Sequence, residues 1–175
     1  VPDDLPILFL DVDGPVIPFG GRHAIRNAVS GENPLLGRVD PALGPKLAAL
    51  PCELVWATTW ASHANDVIAP ILGLPDLPYV DWPDADEQGE LHWKTRHLVA
   101  WAGSRPFIWA DDELTDVDRR WVARHHRAPA LLHRVRPDIG LTDTDVELMR
   151  EWLRPLRSPL PGRPRPAVPA PDRPV

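Results

Sequence analysis

Short apolar runs separated by stretches of helical periodicity constrain this chain most. The strand candidates are Ile7–Val12, Leu54–Ala57, Phe107–Ala110 and Ala130–Val135, with a weaker one near Tyr79-Val80. Runs that short and that continuously apolar suit strands covered on both faces, as in a parallel sheet. Their alternation with helices predicts an α/β protein of three layers, a parallel sheet of about five strands with helices on both faces. Asp40-Pro41 supplies an N-cap and a first-turn proline for a helix to about Leu50. Ser62 heads a second, to about Leu72, where Gly73 stops it. Lys94 to Ala102 forms a third, Thr115 caps a fourth to about His126, and Thr142 caps the last, with Val146, Met149, Trp152 and Leu153 on one face.

At 175 residues the chain suits one domain with a sizeable core. We expect that domain over residues 1–154. From Pro155 the tail repeats proline too densely for a helix or a sheet, and residues 155–175 are expected to be extended and disordered. Its P-x-x-P spacing would suit docking of a protein partner's aromatic groove. No stretch reaches the length of a membrane span, and the acidic start does not resemble a secretion signal. A lone cysteine, Cys52, excludes an internal disulfide, and a cytoplasmic home is expected. The net charge of −6 argues against coating nucleic acid by bulk electrostatics. Arg119, Arg120, Arg124, Arg127, Arg134 and Arg136 nevertheless concentrate positive charge in one stretch. That stretch reads either as a solvated helix face and strand edge or as a patch facing an anionic substrate.

The candidate chemistry sits where the strand candidates end. Asp11-Val12-Asp13-Gly14 closes the first, and Asp111-Asp112 follows Phe107-Ile108-Trp109-Ala110. Ligands of open α/β sheets bind outside the carboxyl ends of the strands. Two carboxylates held ~4 Å apart at an effective dielectric of ~20 repel by about 4 kcal/mol, so such a cluster calls for a cation or a shared proton. Thr58 closes Leu54-Val55-Trp56-Ala57, and Lys94 stands at a helix start. Phosphoryl transfer needs a nucleophile, a proton donor, a metal and fixed donors for the phosphoryl oxygens. Asp11 is the candidate nucleophile and Asp13 the acid that protonates the leaving oxygen. Asp11, the main-chain carbonyl of Asp13, Asp111 and Asp112 are candidate ligands for Mg²⁺. Thr58, with Thr59 as its rival, would grip a phosphoryl oxygen beside the charge of Lys94. Trp60 and Trp93 flank these groups and offer faces on which bases could stack. His63 and His92 lie near the same edge and suit hydrogen-bonding roles.

Taken in order, L-F-L-D-V-D-G-P-V, V-W-A-T-T-W, H-W-K-T and I-W-A-D-D-E-L resemble the four motifs of the haloacid dehalogenase (HAD) superfamily. They are most similar to the HAD domains of Swiss Army Knife RNA-repair proteins, and the likeness runs from about Ile7 to Leu153. The resemblance implies a Rossmann-like sheet and a Mg²⁺-dependent phosphatase acting through an aspartyl-phosphate on a phosphorylated substrate, a nucleotide or nucleic-acid end included. The second acid, Asp13, matches the phosphatase branch rather than the dehalogenases. Pro15 departs from the threonine that many of these phosphatases carry after the glycine. The insert after Asp13 is Gly- and Pro-rich and short, which implies a minimal cap and an open crevice. The alternative is a HAD-fold binding or regulatory module with little or no catalysis and a docking tail.

Overall fold

The computed structural model describes residues 5–21, 33–82 and 89–157. Strands β1 (Ile7–Leu10), β2 (Glu53–Trp56), β3 (Phe107–Asp111) and β4 (Ala130–Arg134) form one parallel sheet in the order β2-β1-β3-β4. Around it lie helices α1 (Leu43–Ala48), α2 (His63–Val67), α3 (Ala69–Leu72), α4 (Lys94–Ala102), α5 (Asp116–His125) and α6 (Asp143–Leu153).

Strand periodicity builds the three layers. Along β1, Leu8 and Leu10 join one core with Leu47, Leu72 and Met149, while Ile7 and Phe9 join another with Leu98 and Val122. Successive side chains of a strand point to opposite faces, so a strand with no polar member must be covered twice. All four β1 residues are fully buried, and each such side chain contributes roughly 1.5–3 kcal/mol. On one face α1 approaches α3 so closely that a Cβ on Gly44 would lie 1.7 Å from the Leu72 carbonyl oxygen.

Among the described residues the sheet has four strands where about five were expected. Tyr79 makes only an isolated bridge to Trp56. Trp56 N–H donates to the Pro78 carbonyl at 2.8 Å and Val80 N–H to Trp56 at 2.9 Å, and the pairing stops there. Pro78 brings no N–H to a ladder, which limits any strand built on it. The helix expected from Ser62 to Leu72 is divided at Ile68, because Pro70 lacks the donor an unbroken helix would use. Ser62 makes no side-chain cap. Asp40 instead accepts from Ala42 N–H at 3.0 Å, and α1 begins only at Leu43. Thr115 and Thr142 do cap α5 and α6, each in a reciprocal capping box, with Asp118 and Asp145 respectively.

Past α6 the chain makes a 3₁₀ turn at Arg154–Arg157, and Leu156 packs against the core. The rest of the proline-rich tail, much of the insert after Asp13 and most of the acidic loop between Trp82 and Gly89 lie outside the described residues. Among the described residues no helix is long and apolar enough to cross a membrane.

Candidate active site

Topology chooses the location. From β1 the chain goes to β2 on one side and later returns to β3 on the other. The reversal leaves a crevice at the carboxyl end of β1, the place where open α/β sheets bind ligands. Register then pairs the acids. Leu10 lies opposite Ala110, so Asp11 and Asp111 are neighbours one strand spacing apart. Asp11 N–H donates to the Ala110 carbonyl at 3.1 Å and fixes that register at its last step.

Lys94, the first residue of α4, reaches between them. Its Nζ donates to Asp11 Oδ2 at 2.6 Å and to Asp111 Oδ2 at 2.9 Å, and all three side chains are nearly or fully buried. The remaining oxygens are also held. Asp11 Oδ1 accepts from Val12 N–H at 2.8 Å, and Asp111 Oδ1 accepts from Glu113 N–H at 2.9 Å. Trp109 Nε1 donates to Asp111 Oδ2 at 3.2 Å. Burial pushes the Asp11 carboxyl up to about 7, against the attraction of Lys94 and with help from Asp111. Burial works the same way on Asp111, but the Lys94 charge and the Glu113 N–H overcome it and hold that carboxyl below its usual value. Lys94 is raised: burial would lower it, and the two carboxylates outweigh burial. Asp112 is raised by burial and by Asp111.

Asp11, Asp111 and Asp112 each bring a carboxylate oxygen within 4.8 Å of the others. Once all three are ionised, three carboxylates against one ammonium leave two negative charges uncompensated, which fits one divalent cation. An all-oxygen donor set suits a hard ion such as Mg²⁺. Gly14 lets Asp112 come this close. Its φ of +85° favours glycine, and a Cβ there would lie 2.5 Å from Asp112 Oδ1. Asp13 stands apart from that cluster: Trp60 Nε1 donates to its Oδ2 at 3.0 Å.

Asp11, Asp13, Thr59, Trp93, Lys94 and Asp112 line a crevice of about 180 Å³. Thr58 is buried, and its hydroxyl accepts from Trp60 N–H at 3.3 Å. Thr59 is the exposed one of the two. A family model, the HAD domain in Swiss Army Knife RNA repair proteins, matches residues 7–146. The chain belongs to this family. No curated protein and no solved structure matches it. Membership makes the chain a HAD-type hydrolase domain, of a class that generally uses a divalent metal, and the acid cluster of this HAD domain is compatible with one.

Three arginines of the arginine-rich stretch are engaged locally in this HAD domain. Arg119 pairs with Asp116 and donates to the Leu132 carbonyl, Arg136 chelates Asp138, and Arg134 Nε donates to the Asp112 carbonyl at 3.0 Å. His63 pairs with Asp66 and His92 with Glu113, the hydrogen-bonding roles expected of them. Burial pushes the Cys52 thiol up to about 12, which suits packing and not nucleophilic chemistry.

Sequence reasoning missed one residue that holds the site together. Asp118 is fully buried and accepts from Thr115 N–H and Oγ1 at 2.9 and 2.7 Å, from His92 N–H at 2.8 Å and from Thr95 Oγ1 at 2.7 Å. It ties the start of α5 to the start of α4, where Lys94 emerges. Burial opposes its ionisation, yet these donors hold its carboxyl below the usual value. A depressed carboxyl stabilises the fold above its unfolded value and loses that contribution as pH falls through its folded value. Asp118→Asn is therefore expected to cost about 2 kcal/mol at pH 7, and the gap to the parent should shrink in urea titrations near pH 3. An equal gap at both pH values would remove the charge from this account.

Proposed function

We propose that this domain is a Mg²⁺-dependent phosphomonoesterase that works through an aspartyl-phosphate. The observation that carries the reading is the meeting of Asp11, Asp111 and Asp112, with Lys94 bonded to the first two and Asp13 lining the same crevice. The family's link to RNA repair favours nucleotides or nucleic-acid ends as substrates.

In the first step an Asp11 oxygen bonds to phosphorus while the bond from phosphorus to the ester oxygen breaks. Asp13 gives its proton to that departing oxygen, and Trp60 keeps the carboxyl in place. In the second step Asp13, now a carboxylate, takes a proton from water as the water oxygen bonds to phosphorus. The bond to Asp11 breaks, and inorganic phosphate leaves with both aspartates restored. Lys94 spreads positive charge over Asp11 and Asp111, which lets an anionic phosphoryl group approach an anionic nucleophile. Thr58 and Thr59 are the donors proposed for the phosphoryl oxygens. Asp11, Asp111, Asp112 and the Asp13 carbonyl would hold Mg²⁺, which supplies further charge neutralisation to those oxygens.

The test is an aryl phosphate assay with Mg²⁺, without it and with EDTA. Turnover should require the metal, and a burst of aryl alcohol stoichiometric with enzyme should precede steady phosphate release if dephosphorylation of Asp11 is slow. Turnover that persists in EDTA would defeat the reading. A metal-binding module without catalysis would show tight Mg²⁺ and no phosphate.

A further inference from the structure

We propose that the cavity beside the phosphoryl crevice is a leaving-group subsite for an uncharged, ring-bearing group rich in hydrogen-bond donors, of which a nucleoside is the fitting class. The proposal rests on the phosphomonoesterase reading above and narrows its substrate to a mononucleotide. The cavity measures about 410 Å³ and is lined by Glu90, Leu91, His92, Trp93, Glu113 and Thr115. Trp93 and Glu113 also line the phosphoryl crevice, so the two spaces share a wall.

Size separates their tasks. Small-molecule pockets run to roughly 300–1,000 Å³. The crevice, at about 180 Å³, falls below that range and has room for a phosphoryl group and its ion. The organic part of the ester needs another place, and the cavity next door is of the required volume. Its chemistry is specific. The half-buried Trp93 indole, braced by the His92 ring stacked on it at 5.8 Å with an interplanar angle of 22°, lines the cavity and offers aromatic surface to a flat ring. Glu90 and Glu113 supply acceptors for hydroxyl and amino donors.

Charge decides between a mononucleotide and a longer strand. His92 Nδ1 accepts from Lys94 N–H at 3.2 Å, so the ring proton sits on Nε2, which faces Glu113 Oε2 at 3.3 Å. Glu90 and Glu113 both line the cavity and give it an acidic wall. No lysine or arginine is among its described lining residues. A second phosphate carried on the leaving group would be set against Glu90 and Glu113. Like charges brought together in this way discriminate against the wrong ligand. The wall is also preorganised, because Asp118 fixes His92 through its N–H at 2.8 Å.

The experiment compares kcat/KM, with Mg²⁺, for phenyl phosphate, a nucleoside 5′-monophosphate, the matching 3′,5′-bisphosphate and a 5′-phosphorylated trinucleotide. The scissile ester is the same in the last three, and only the charge and bulk behind it change. The monophosphate should exceed the bisphosphate and the trinucleotide by about tenfold or more. Glu113→Gln should narrow the gap between monophosphate and bisphosphate. Trp93→Ala should raise KM for the monophosphate by about tenfold and change KM for phenyl phosphate less. Equal rates on monophosphate and bisphosphate, or a trinucleotide that matches the monophosphate, would overturn the subsite while phenyl phosphate turnover leaves the hydrolase reading standing. No turnover of any ester, phenyl phosphate included, would defeat the hydrolase reading and this inference with it.

Discussion

Asp11→Asn is expected to cut phosphate release by at least about 10⁴-fold, the scale at which removal of a nucleophile is felt, and at the same time to make the metal-free protein more stable above pH 7. Both effects come from one buried charge. Asp11 is only 7% exposed, with its carboxyl pushed up to about 7 chiefly by burial. The folded protein therefore holds a proton there that the unfolded chain gives up near its ordinary value of 3.8. Stability falls as pH rises between those two values, and above about 7 the full cost of the charge is present. Asparagine carries no charge, keeps an oxygen for the Val12 N–H and leaves Lys94 with Asp111. A gain of about 1 kcal/mol corresponds to roughly 2–4 °C for a domain of this size. The gain should be absent near pH 4, where the parent carboxyl is already neutral, and saturating Mg²⁺ should stabilise the parent more than the variant. Unchanged turnover would place the nucleophile elsewhere. A variant less stable than its parent at pH 8 would show that Asp11 carries no such cost.

The same residues show how far the chain could be read before folding. Asp11, Asp111 and Thr58 were legible because each ends an apolar run at a polar residue, and a parallel sheet sends all its carboxyl ends to one edge. Lys94 was legible as a helix start, yet nothing local says that its ammonium reaches Asp11, 83 residues away in sequence, as well as Asp111. Trp60 shows the same limit. Its place beside the threonines suggested a stacking face, and the fold uses its indole N–H on Asp13, 47 residues distant. Asp118 had a visible signal in Thr115-x-x-Asp118, a capping pattern. The pattern foretells the bond to Thr115 but not the bonds to His92 and Thr95 from another helix start. The missing fifth strand has the opposite origin: Tyr79-Val80 is apolar enough for a strand, but Pro78 supplies no donor to extend it. Local rules gave elements and edges, while register and side-chain reach, which the final packing sets, decided the contacts.

Lys94→Ala is expected to lower the melting temperature by roughly 10 °C at pH 7.5 without metal, since breaking a buried ion pair costs about 3–5 kcal/mol. The substitution removes the only ammonium bonded to Asp11 and Asp111 among the described residues. Three carboxylates then share the crevice with nothing between them. Lys94 lowers the carboxyls of both Asp11 and Asp111 in the parent, so both rise in the variant. A raised carboxyl loses stability as pH climbs, and the gap between variant and parent should widen from pH 5 to pH 8. Saturating Mg²⁺ should close part of it, because an ion bound only by the folded state stabilises that state in proportion to its affinity. Lys46→Ala is the contrast. Lys46 pairs with Asp143 at the surface, where both partners are well exposed, and such a pair contributes about 0–1 kcal/mol. Thermal melts of the two variants across pH, with and without Mg²⁺, separate a lysine that neutralises a buried acid cluster from one that decorates the surface. If Lys94→Ala melts like Lys46→Ala at pH 8 in the absence of metal, the crevice does not carry the charge assigned to it, and the case for a divalent ion there falls as well.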